Sequence, residues 1–488
     1  MEGMSAHTFL WHDYETFGAH PRLDRPAQFA AIRTDADLNE VGEPVMLYCQ
    51  PSADYLPDPQ SCLITGITPQ WCMAHGVPER AFAARIEAEL ARPGTIGVGY
   101  NTIRFDDEFT RFLFWRNLMD PYAREWQNGC GRWDLLDVVR LSYALRPEGI
   151  EWPKKADGRP SFRLEDLARA NGLAHEAAHD ALSDVRATIA VARLIRQHHP
   201  RLFEFALSLH RKERVAAELG LPVTVGDARP FLHVSGMFAP ERGCLAVMWP
   251  LATHPMNRNE LLAWDLSFDP RELADLDAAA IRQRLFTRQE DLPAGVQRLP
   301  IKSVHLNKSP MVVSQLRTLR PALAERWGID MAQCLSHAAH AAALPDMSAI
   351  WAEVFERSSP READDPEQDL YGGFLQEADR RRLSHLRAAA PADPAWDKAT
   401  FDDPRLSTLV FRYRARHFPE TLSDAQRQQW LAHCQDRLLR GQGGALTVQR
   451  LFERIDALAE DAAARGDERA EAILSALYDY AESLTEGW

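Results

Sequence analysis

Residues 8–18 read TFLWHDYETFG, an apolar run followed by two acidic residues two positions apart. The apolar residues 8–11 predict a β-strand, and residues i and i+2 of a strand project to the same face. Asp13 and Glu15 are therefore expected to converge at the end of this strand. Two neighbouring carboxylates repel each other unless a proton or a cation lies between them, and Mg²⁺ prefers such oxygen ligands. The alternative is a surface acidic pair in a turn, because the tripeptide Asp-X-Glu is common.

Two later stretches carry acidic residues at the starts of predicted helices. Residues 101–108 read NTIRFDDE and open a helical pattern. Asp106 directly follows an aromatic residue and is the candidate metal ligand, and the adjacent Asp107 is the alternative candidate. Residues 179–184 read HDALSD, where His179 precedes a helix that has Asp180 as its predicted N-cap and Asp184 in its first turn. The structural alternatives are helix capping with a favourable helix dipole, a loop histidine and a solvated helix start.

The apolar pattern divides the chain into three parts, expected at residues 1–200, 201–355 and 356–488. The first part alternates strands and helices, which indicates a layered α/β domain. Its strand-like segments are 8–11, 29–34, 45–49 and 96–100, and its helical segments are 79–91, 107–118, 135–145, 164–170 and 181–197. The second part resembles a smaller mixed domain rich in antiparallel strands, at 231–234, 244–249, 262–266 and 304–306, with a helix at 278–286. The acidic stretch 358–369 is interpreted as a linker, and the sequence after it is almost wholly helical.

The chain has 488 residues and a formal net charge of −14, which taken alone argues against a nucleic-acid partner. The acidity is uneven, since residues 201–320 hold 16 Lys and Arg against 13 Asp and Glu. Charge therefore permits a nucleic-acid enzyme without indicating one. The seven cysteines form no Cys-X-X-Cys pair, which indicates neither a disulfide framework nor a zinc site and favours a reducing cytoplasm. No signal peptide is visible, and no membrane partner is expected because no stretch approaches the ~20 apolar residues of a membrane helix.

The three acidic elements together resemble the DEDDh exonuclease superfamily, in which acidic motifs follow two strands and a His-X4-Asp motif lies at a closing helix. The surrounding sequence is similar to bacterial exonuclease I over essentially the whole chain. The matching words are HDYETFG (12–18), DRPAQFAAIRTD (24–35), LITGITPQ (63–70), RWDLLDV (132–138), ALRPEGIEWP (144–153), HVSGMF (233–238) and FRYRARHFPETL (411–422). The resemblance implies an α/β fold: a ribonuclease H-like exonuclease domain with a mixed sheet, an SH3-like domain containing a β-barrel, and an all-helical C-terminal domain that closes over the strand.

The resemblance also implies a chemistry, the hydrolysis of single-stranded DNA from the 3′ end to 5′-mononucleotides, in DNA repair and recombination. The carboxylates that match the superfamily motif would hold two Mg²⁺ ions, with Mn²⁺ as a substitute. Asp13 would bridge the ions, and Asp106 would serve one of them. Glu15 and Asp184 would complete the ion that carries the attacking water. His179 would be the general base, because histidine accepts a proton near neutral pH.

Five residues in or near these motifs are predicted to contact the terminal nucleotide, and Glu15 is one of them. Tyr14, Thr16 and Phe17 flank the first acidic element, and aromatic faces stack on any base. Their alternative role is packing at a strand end. Thr65 lies in a segment that resembles the family's terminal-nucleotide pocket, and its alternative is an ordinary turn.

Basic residues are predicted to contact either DNA phosphate or a protein partner. Arg412 and Arg416 share one face of a predicted helix, so they could bind phosphate, as could Arg163; a solvated helix face is the alternative for the first two. The family docks the acidic C-terminal tail of single-stranded DNA-binding protein. The basic positions that match the tail-binding segments are Arg146, Arg229 and Arg320.

Two other functions stay open at the level of sequence. A 3′→5′ exoribonuclease would carry the same active-site residues, because the choice of sugar depends on how the 2′-hydroxyl is treated. A non-catalytic protein that binds single strands through a decayed nuclease domain is the second, and the presence of all five motif residues argues against it. In each case the chain is expected to act as a monomer.

Overall fold

The computed structural model describes residues 7–174, 180–356, 365–486 and 488. The strands over these residues are β1 (Thr8–Thr16), β2 (Pro26–Thr34), β3 (Val45–Gln50), β4 (Val77–Pro78), β5 (Thr95–Gly99), β6 (Gly131–Asp134), β7 (Phe231–Val234), β8 (Leu245–Thr253), β9 (Glu260–Asp265), β10 (Ile301–His305) and β11 (Met311–Val313). The helices up to the second sheet are α1 (Pro59–Thr65), α2 (Pro69–His75), α3 (Glu79–Leu90), α4 (Asp106–Arg116), α5 (Leu135–Leu145), α6 (Leu164–Ala170), α7 (Ala181–His198), α8 (Pro200–Ser208) and α9 (Lys212–Leu219). The later helices are α10 (Ala278–Phe286), α11 (Pro321–Arg326), α12 (Met331–Ala342), α13 (Ser348–Val354), α14 (Glu377–Ala388), α15 (Ala395–Lys398), α16 (Arg405–His417), α17 (Asp424–Arg440), α18 (Val448–Arg465) and α19 (Glu468–Thr485). Among the helices described, none combines the length and the apolar character needed to cross a membrane.

The first sheet is mixed and has the strand order β4-β3-β2-β1-β5-β6. β2 runs antiparallel to β1 and β3, whereas β1, β5 and β6 run parallel to one another. β1 continues beyond its apolar run to Thr16 because β2 also pairs with its polar residues. Asp13 lies opposite Ala30 and Glu15 opposite Gln28. The longer strand keeps the two carboxylates on one face, as the strand period of two requires.

Helices cover both faces of this sheet. α7 packs on one face through an apolar core that includes Trp11 of β1 and Ile189. On the opposite face, Phe82 of α3 and Phe114 of α4 pack against Phe29 of β2. These layers confirm the predicted α/β architecture. α5 and α6 have the bounds that the sequence predicts.

The second sheet is antiparallel throughout, with the strand order β10-β9-β8-β7-β11. Four of its strands overlap segments that the sequence predicts, although β10 begins three residues before its predicted segment 304–306. The prediction misses the short β11. The sheet packs on α5, so that Val138 of α5 and Leu232 of β7 belong to one continuous core. The two sheets and the helices that follow confirm the predicted fold class.

The C-terminal helices pack against the first part of the chain at two places. Trp115 of α4 shares an apolar cluster with Leu383 of α14 and Leu409 of α16. Phe17, just after β1, belongs to a second cluster with Leu477 of α19. The helical part therefore borders the segment that follows the carboxylates of β1.

Residues 365–369 correct the linker prediction. The polar sequence 358–369 predicts a linker, and residues 358–364 of this stretch lie outside the described chain. Asp365 and Glu367 are buried. Asp365 accepts a hydrogen bond from Arg412 at 2.6 Å, and Glu367 accepts one from Arg416 at 2.5 Å. The linker prediction is wrong for residues 365–369 because arginines of α16 replace water as partners of these carboxylates.

Candidate active site

Three carboxylates from two elements converge beside the first sheet. β1 supplies Asp13 and Glu15 on one face, and α7 brings Asp184 against that face. One oxygen from each of these side chains lies within 4.8 Å of the others. α7 begins beside β1 with Asp180, whose side chain accepts from the backbone N–H of Ser183 and caps the helix. Capping by Asp180 places Asp184 in the first turn, facing the strand.

Asp106 joins the group from α4. It is the first residue of this helix, and its carboxylate accepts the backbone N–H of Tyr14 at 3.0 Å. The hydrogen bond joins the start of α4 to β1 between Asp13 and Glu15. Asp106 is thus held by the strand that carries the other two carboxylates.

The pKa values of these carboxyl groups reflect crowding in a poorly solvated place. Burial raises the pKa of Asp13 well above its ordinary value, and Asp184 adds to the effect. Burial, followed by Asp13 and Asp184, raises the pKa of Glu15 to about 9. Burial and Asp13 also raise the pKa of Asp106 well above its ordinary value. A divalent cation would relieve this repulsion, and a set of donors made only of carboxylate oxygens fits a hard ion such as Mg²⁺ or Mn²⁺.

Asp107 has a different environment from its neighbour. It is buried, with one carboxylate oxygen bound by Arg124 and the other by Arg132 at 3.1 Å. Burial opposes its ionisation, but the two guanidinium groups hold the pKa of Asp107 well below its usual range. Its carboxylate belongs to an internal ion-pair network and is separate from the group formed by Asp13, Glu15 and Asp184.

This network ties the start of α4 to other parts of the chain. Arg132 contacts Glu125 at 3.3 Å and donates to the carbonyl of Asn307, which precedes β11. Arg111 of α4 pairs with the same Glu125 at 2.7 Å. These arginines were not predicted from the sequence, in which Asp107 was considered only as an alternative metal ligand to Asp106. The sequence signal that could have indicated them is the adjacent pair Asp106-Asp107, because two neighbouring buried carboxylates need different partners.

Comparisons with known proteins match the whole organisation. Three family models cover consecutive parts of the chain: Exonuclease at residues 10–192, Exonuclease I SH3-like domain at 210–357, and Exonuclease I C-terminal domain at 364–484. The chain is 45% identical over 487 residues to Exodeoxyribonuclease I of Escherichia coli (strain K12), covering 99% of each protein. The chain belongs to the exonuclease I family. The predicted DEDDh superfamily and the predicted class of enzyme, a 3′→5′ exodeoxyribonuclease, are thereby confirmed, and the family uses a divalent metal.

Solved members of the exonuclease I family have the same fold. Exonuclease I of Methylocaldum szegediense is 46% identical with a TM-score of 0.91, covering 98% of this chain and 99% of that one. Exonuclease I of E. coli in complex with a dA16 oligonucleotide is 44% identical with a TM-score of 0.90, covering 98% and 100%. Other forms of exonuclease I include a zinc-bound complex with single-stranded DNA and a structure with SSB and the inhibitor CFAM.

Two aromatic residues predicted to stack on the terminal nucleotide lie in the interior. Tyr14 is buried, with its ring 4.9 Å from that of Phe29 and its hydroxyl 3.0 Å from Thr110 Oγ1. Phe17 is also buried, in the cluster that joins the C-terminal helices. The prediction of base stacking is wrong for Tyr14 and Phe17, because strand alternation turns Tyr14 to the face opposite Asp13 and the C-terminal helices cover Phe17.

Arg412 and Arg416 are likewise buried. Arg416 pairs with Asp54 at 2.6 Å and with Glu367 at 2.5 Å. Arg412 pairs with Asp365 at 2.6 Å. The prediction that these two arginines contact DNA phosphate is wrong, because their guanidinium groups are already neutralised inside the protein.

The other predicted DNA contacts stay predictions. Thr16 is buried, and its hydroxyl donates to the carbonyl of Gly18 at 2.7 Å. Thr65 ends α1, and its hydroxyl accepts the N–H of Ile67. Arg163 precedes α6 and has an exposed side chain 3.2 Å from Glu165. His179 lies outside the described residues, so its role as general base also stays a prediction.

The predicted partner-binding arginines lie partly together. Arg146 donates to the carbonyl of Thr318 at 3.0 Å, near the side chain of Arg320. Burial and the charge of Arg320 lower the pKa of Arg146. Arg320 pairs with Glu148 and is half exposed, whereas Arg229 is exposed on the segment before β7. Their role in binding a partner stays a prediction.

Proposed function

We propose that this chain, acting as a monomer, hydrolyses single-stranded DNA from the 3′ end and releases 5′-mononucleotides. Two Mg²⁺ ions would be bound in the active site, with Mn²⁺ as a substitute. The residues that would hold these ions are Asp13, Glu15, Asp106 and Asp184.

One observation carries the proposal. Asp13, Glu15 and Asp184 place carboxylate oxygens within 4.8 Å of one another, and Asp106 is tied to the same strand by the N–H of Tyr14. The raised pKa values of Asp13 and Glu15 indicate that these groups need a proton or a cation between them. Four carboxylates, with Asp13 close to both Asp184 and Asp106, favour two ions over one.

The carboxylates and His179 would have different roles in the reaction. When bound, divalent cations supply Lewis acidity at the scissile phosphate and neutralise the charge that develops on its oxygens. Asp13 and Glu15, fixed on a paired strand, would hold these cations in place beside the phosphate. His179, five positions before Asp184 in the sequence, would accept the proton of the attacking water.

Asp13→Ala tests the metal assignment. It should abolish hydrolysis of a 3′ end while leaving DNA binding measured in EDTA unchanged, because the carboxylate is needed for the ions and not for the fold. Asp424→Ala removes an exposed carboxylate on α17 and is the matched control. Full activity in Asp13→Ala would refute the assignment.

His179→Ala tests the general base. The wild-type rate should rise with pH through the ordinary titration range of histidine, because the neutral imidazole accepts the proton. At saturating Mg²⁺, where the pH dependence of metal binding no longer limits the rate, the variant should lose this ascending limb. If it keeps the wild-type rate at neutral pH, another group accepts the proton.

The sugar and strand preferences are tested with matched substrates. We expect degradation of single-stranded DNA and sparing of duplex DNA and RNA, in keeping with the 45% identity to an exodeoxyribonuclease I and with the oligonucleotide complexes of solved relatives. The assay follows mononucleotide release from DNA and RNA of the same sequence. Consumption of RNA with sparing of DNA would favour the exoribonuclease alternative.

A partner is also proposed, the acidic C-terminal tail of single-stranded DNA-binding protein. The neighbouring Arg146 and Arg320 offer two cations, and a solved relative has been crystallised with SSB. A fluorescent peptide of the tail should bind the wild-type chain and bind Arg146→Ala more weakly. Arg427→Ala, an exposed arginine of α17, is the control. Equal affinities in the two variants would rule out this site.

A further inference from the structure

The start of α4 is held by side chains of its first turn and not by its N-cap residue. Phe105 occupies the N-cap position, and its apolar side chain cannot accept a hydrogen bond from the first turn. α7 differs, because Asp180 caps it just before Asp184. The orientation of the first turn of α4, and with it of Asp106, therefore depends on the contacts that residues of this turn make.

Asp107 anchors the first turn in the interior. Consecutive residues of a helix point about 100° apart, so Asp107 and Asp106 face different neighbours. Asp106 accepts the backbone N–H of β1, whereas Asp107 is bound by Arg124 through one oxygen and by Arg132 at 3.1 Å through the other. The side chains of these three paired residues are at most 4% exposed. Buried, charge-assisted contacts of this kind fix the rotation of the turn.

Arg132 joins this anchor to the second sheet. From β6, its guanidinium donates to the carbonyl of Asn307 at 3.1 Å, and its own carbonyl accepts from Ser309 Oγ at 3.0 Å. Asn307 and Ser309 lie in the turn between β10 and β11, and Ser309 is buried. One arginine thus contacts both a turn of the second sheet and the first turn of α4.

All three nitrogen atoms of the Arg132 guanidinium are engaged inside the protein. Nη1 donates to Asp107 and Nη2 to the carbonyl of Asn307, while Nε lies 3.3 Å from Glu125. Glu125 also accepts from Arg111 at 2.7 Å, so the same set of contacts holds α4 a second time, one turn later. A buried guanidinium with these partners is suited to orienting its neighbours and not to binding a substrate.

We infer that Arg132 is a positioning residue for the metal site of the proposed function, on which this inference rests. It joins the turn 306–310 of the second sheet to Asp107 and so fixes the first turn of α4, which carries Asp106. The ion that Asp106 would serve thereby depends on a contact made by another part of the chain. Replacing residues that orient metal ligands in this way changes metal affinity by about 10–100-fold.

Arg132→Gln tests the inference, because glutamine stays polar but cannot make the three contacts of the guanidinium together. Arg116→Gln is the matched control, since Arg116 is as buried as Arg132 and pairs with Glu79. Arg116 ends α4, about 15 Å along the helix from Asp106. Mn²⁺ binding is measured without DNA from the electron paramagnetic resonance signal of the free ion. Both variants should melt at a lower temperature, but only Arg132→Gln should bind Mn²⁺ more weakly, by about tenfold or more.

Two further variants separate positioning from a general loss of stability. Ser309→Ala removes the hydroxyl that donates to the Arg132 carbonyl, and we expect a severalfold loss of Mn²⁺ affinity through this link. Arg132→Lys keeps one charge-assisted contact and should restore part of the affinity that Arg132→Gln loses. In steady-state hydrolysis by Arg132→Gln, the Mg²⁺ concentration that gives the half-maximal rate should rise by a larger factor than kcat falls.

The metal-site assignment and the positioning role would fail in different ways. Equal Mn²⁺ affinity in Arg132→Gln, Arg116→Gln and the wild type would overturn the positioning role, while Mg²⁺-dependent hydrolysis by the wild type would leave the proposed function standing. A wild-type chain that neither binds Mn²⁺ nor hydrolyses DNA would refute the proposed function and, with it, this inference. If Arg132→Gln keeps its Mn²⁺ affinity but binds an oligothymidylate more weakly in EDTA, Arg132 contacts the strand and the inference is wrong. Unchanged Mn²⁺ affinity in Ser309→Ala would overturn the link to the second sheet.

Discussion

Metal binding at the active site is predicted to depend steeply on pH. Burial and the neighbouring Asp13 and Asp184 raise the pKa of Glu15 to about 9 in the metal-free protein. At pH 7, about a hundred molecules therefore hold a proton on Glu15 for each one that is ionised. A divalent cation binds the ionised carboxylate, so binding must displace this proton.

The sign and size of the effect follow from the raised pKa. The proton competes with the metal, so affinity falls as the pH falls, by about tenfold per unit below pH 9. Between pH 8 and pH 6 the loss is about a hundredfold, or about 2.7 kcal/mol. The raised pKa of Asp13 would add to this slope. A carboxyl group with an ordinary pKa of about 4.3 would give almost no dependence in this window.

Calorimetry of Mn²⁺ binding in two buffers with different ionisation enthalpies counts the released protons. The wild-type chain should release at least about one proton at pH 7, and Glu15→Gln about one fewer. Glu325→Gln, at an exposed glutamate of α11, should match the wild type. Metal affinity that stays constant from pH 6 to pH 8, with no proton released, would refute the reasoning.

Three other substitutions test the environments described above. Arg416→Met should lower the free energy of unfolding in urea by about 3–5 kcal/mol, because it removes the shortest ion pair of two buried carboxylates, Asp54 and Glu367. Arg427→Met, in an exposed pair, should cost less than about 1 kcal/mol, and equal costs in the two variants would contradict the burial. Asp107→Asn should weaken metal binding and slow hydrolysis, because it loosens the start of α4. Unchanged metal affinity would show that Asp107 does not influence the active site in this way. Tyr14→Phe should lower the melting temperature slightly, because a hydrogen bond is lost, and should leave DNA affinity unchanged. A marked loss of DNA affinity would instead support the original prediction that Tyr14 contacts the nucleotide.

The acidic motifs were predictable because their geometry is local. The period of two along β1 places Asp13 and Glu15 on one face whatever the strand pairs with. The N-cap at Asp180 places Asp184 in the first turn of α7. The contact of Asp106 with the Tyr14 N–H joins residues 92 positions apart, and no local pattern predicts it. The resemblance to a family indicated only that Asp106 belongs to the set of metal-binding carboxylates.

The partners of the polar face of α16 could not be predicted from the local sequence pattern. Helical periodicity predicts that Arg412 and Arg416 lie on one side of α16, but a guanidinium binds both phosphate and carboxylate, so the pattern does not identify the partner. The partners of Arg416 are Asp54, which is 362 residues away, and Glu367, which is 49 residues away. The same distant pairing explains why residues 365–369 look like a linker in the sequence and are buried in the structure.

The net charge of −14 is a poor guide to DNA binding for a related reason. Several acidic residues never face solvent, because arginines bind them inside the protein. These include Asp54, Glu79, Asp107, Asp365 and Glu367. The carboxylates of the active site form a second class, which divalent cations would neutralise. A strand of DNA therefore meets the local balance of charge at its binding surface and not the net charge of the whole chain.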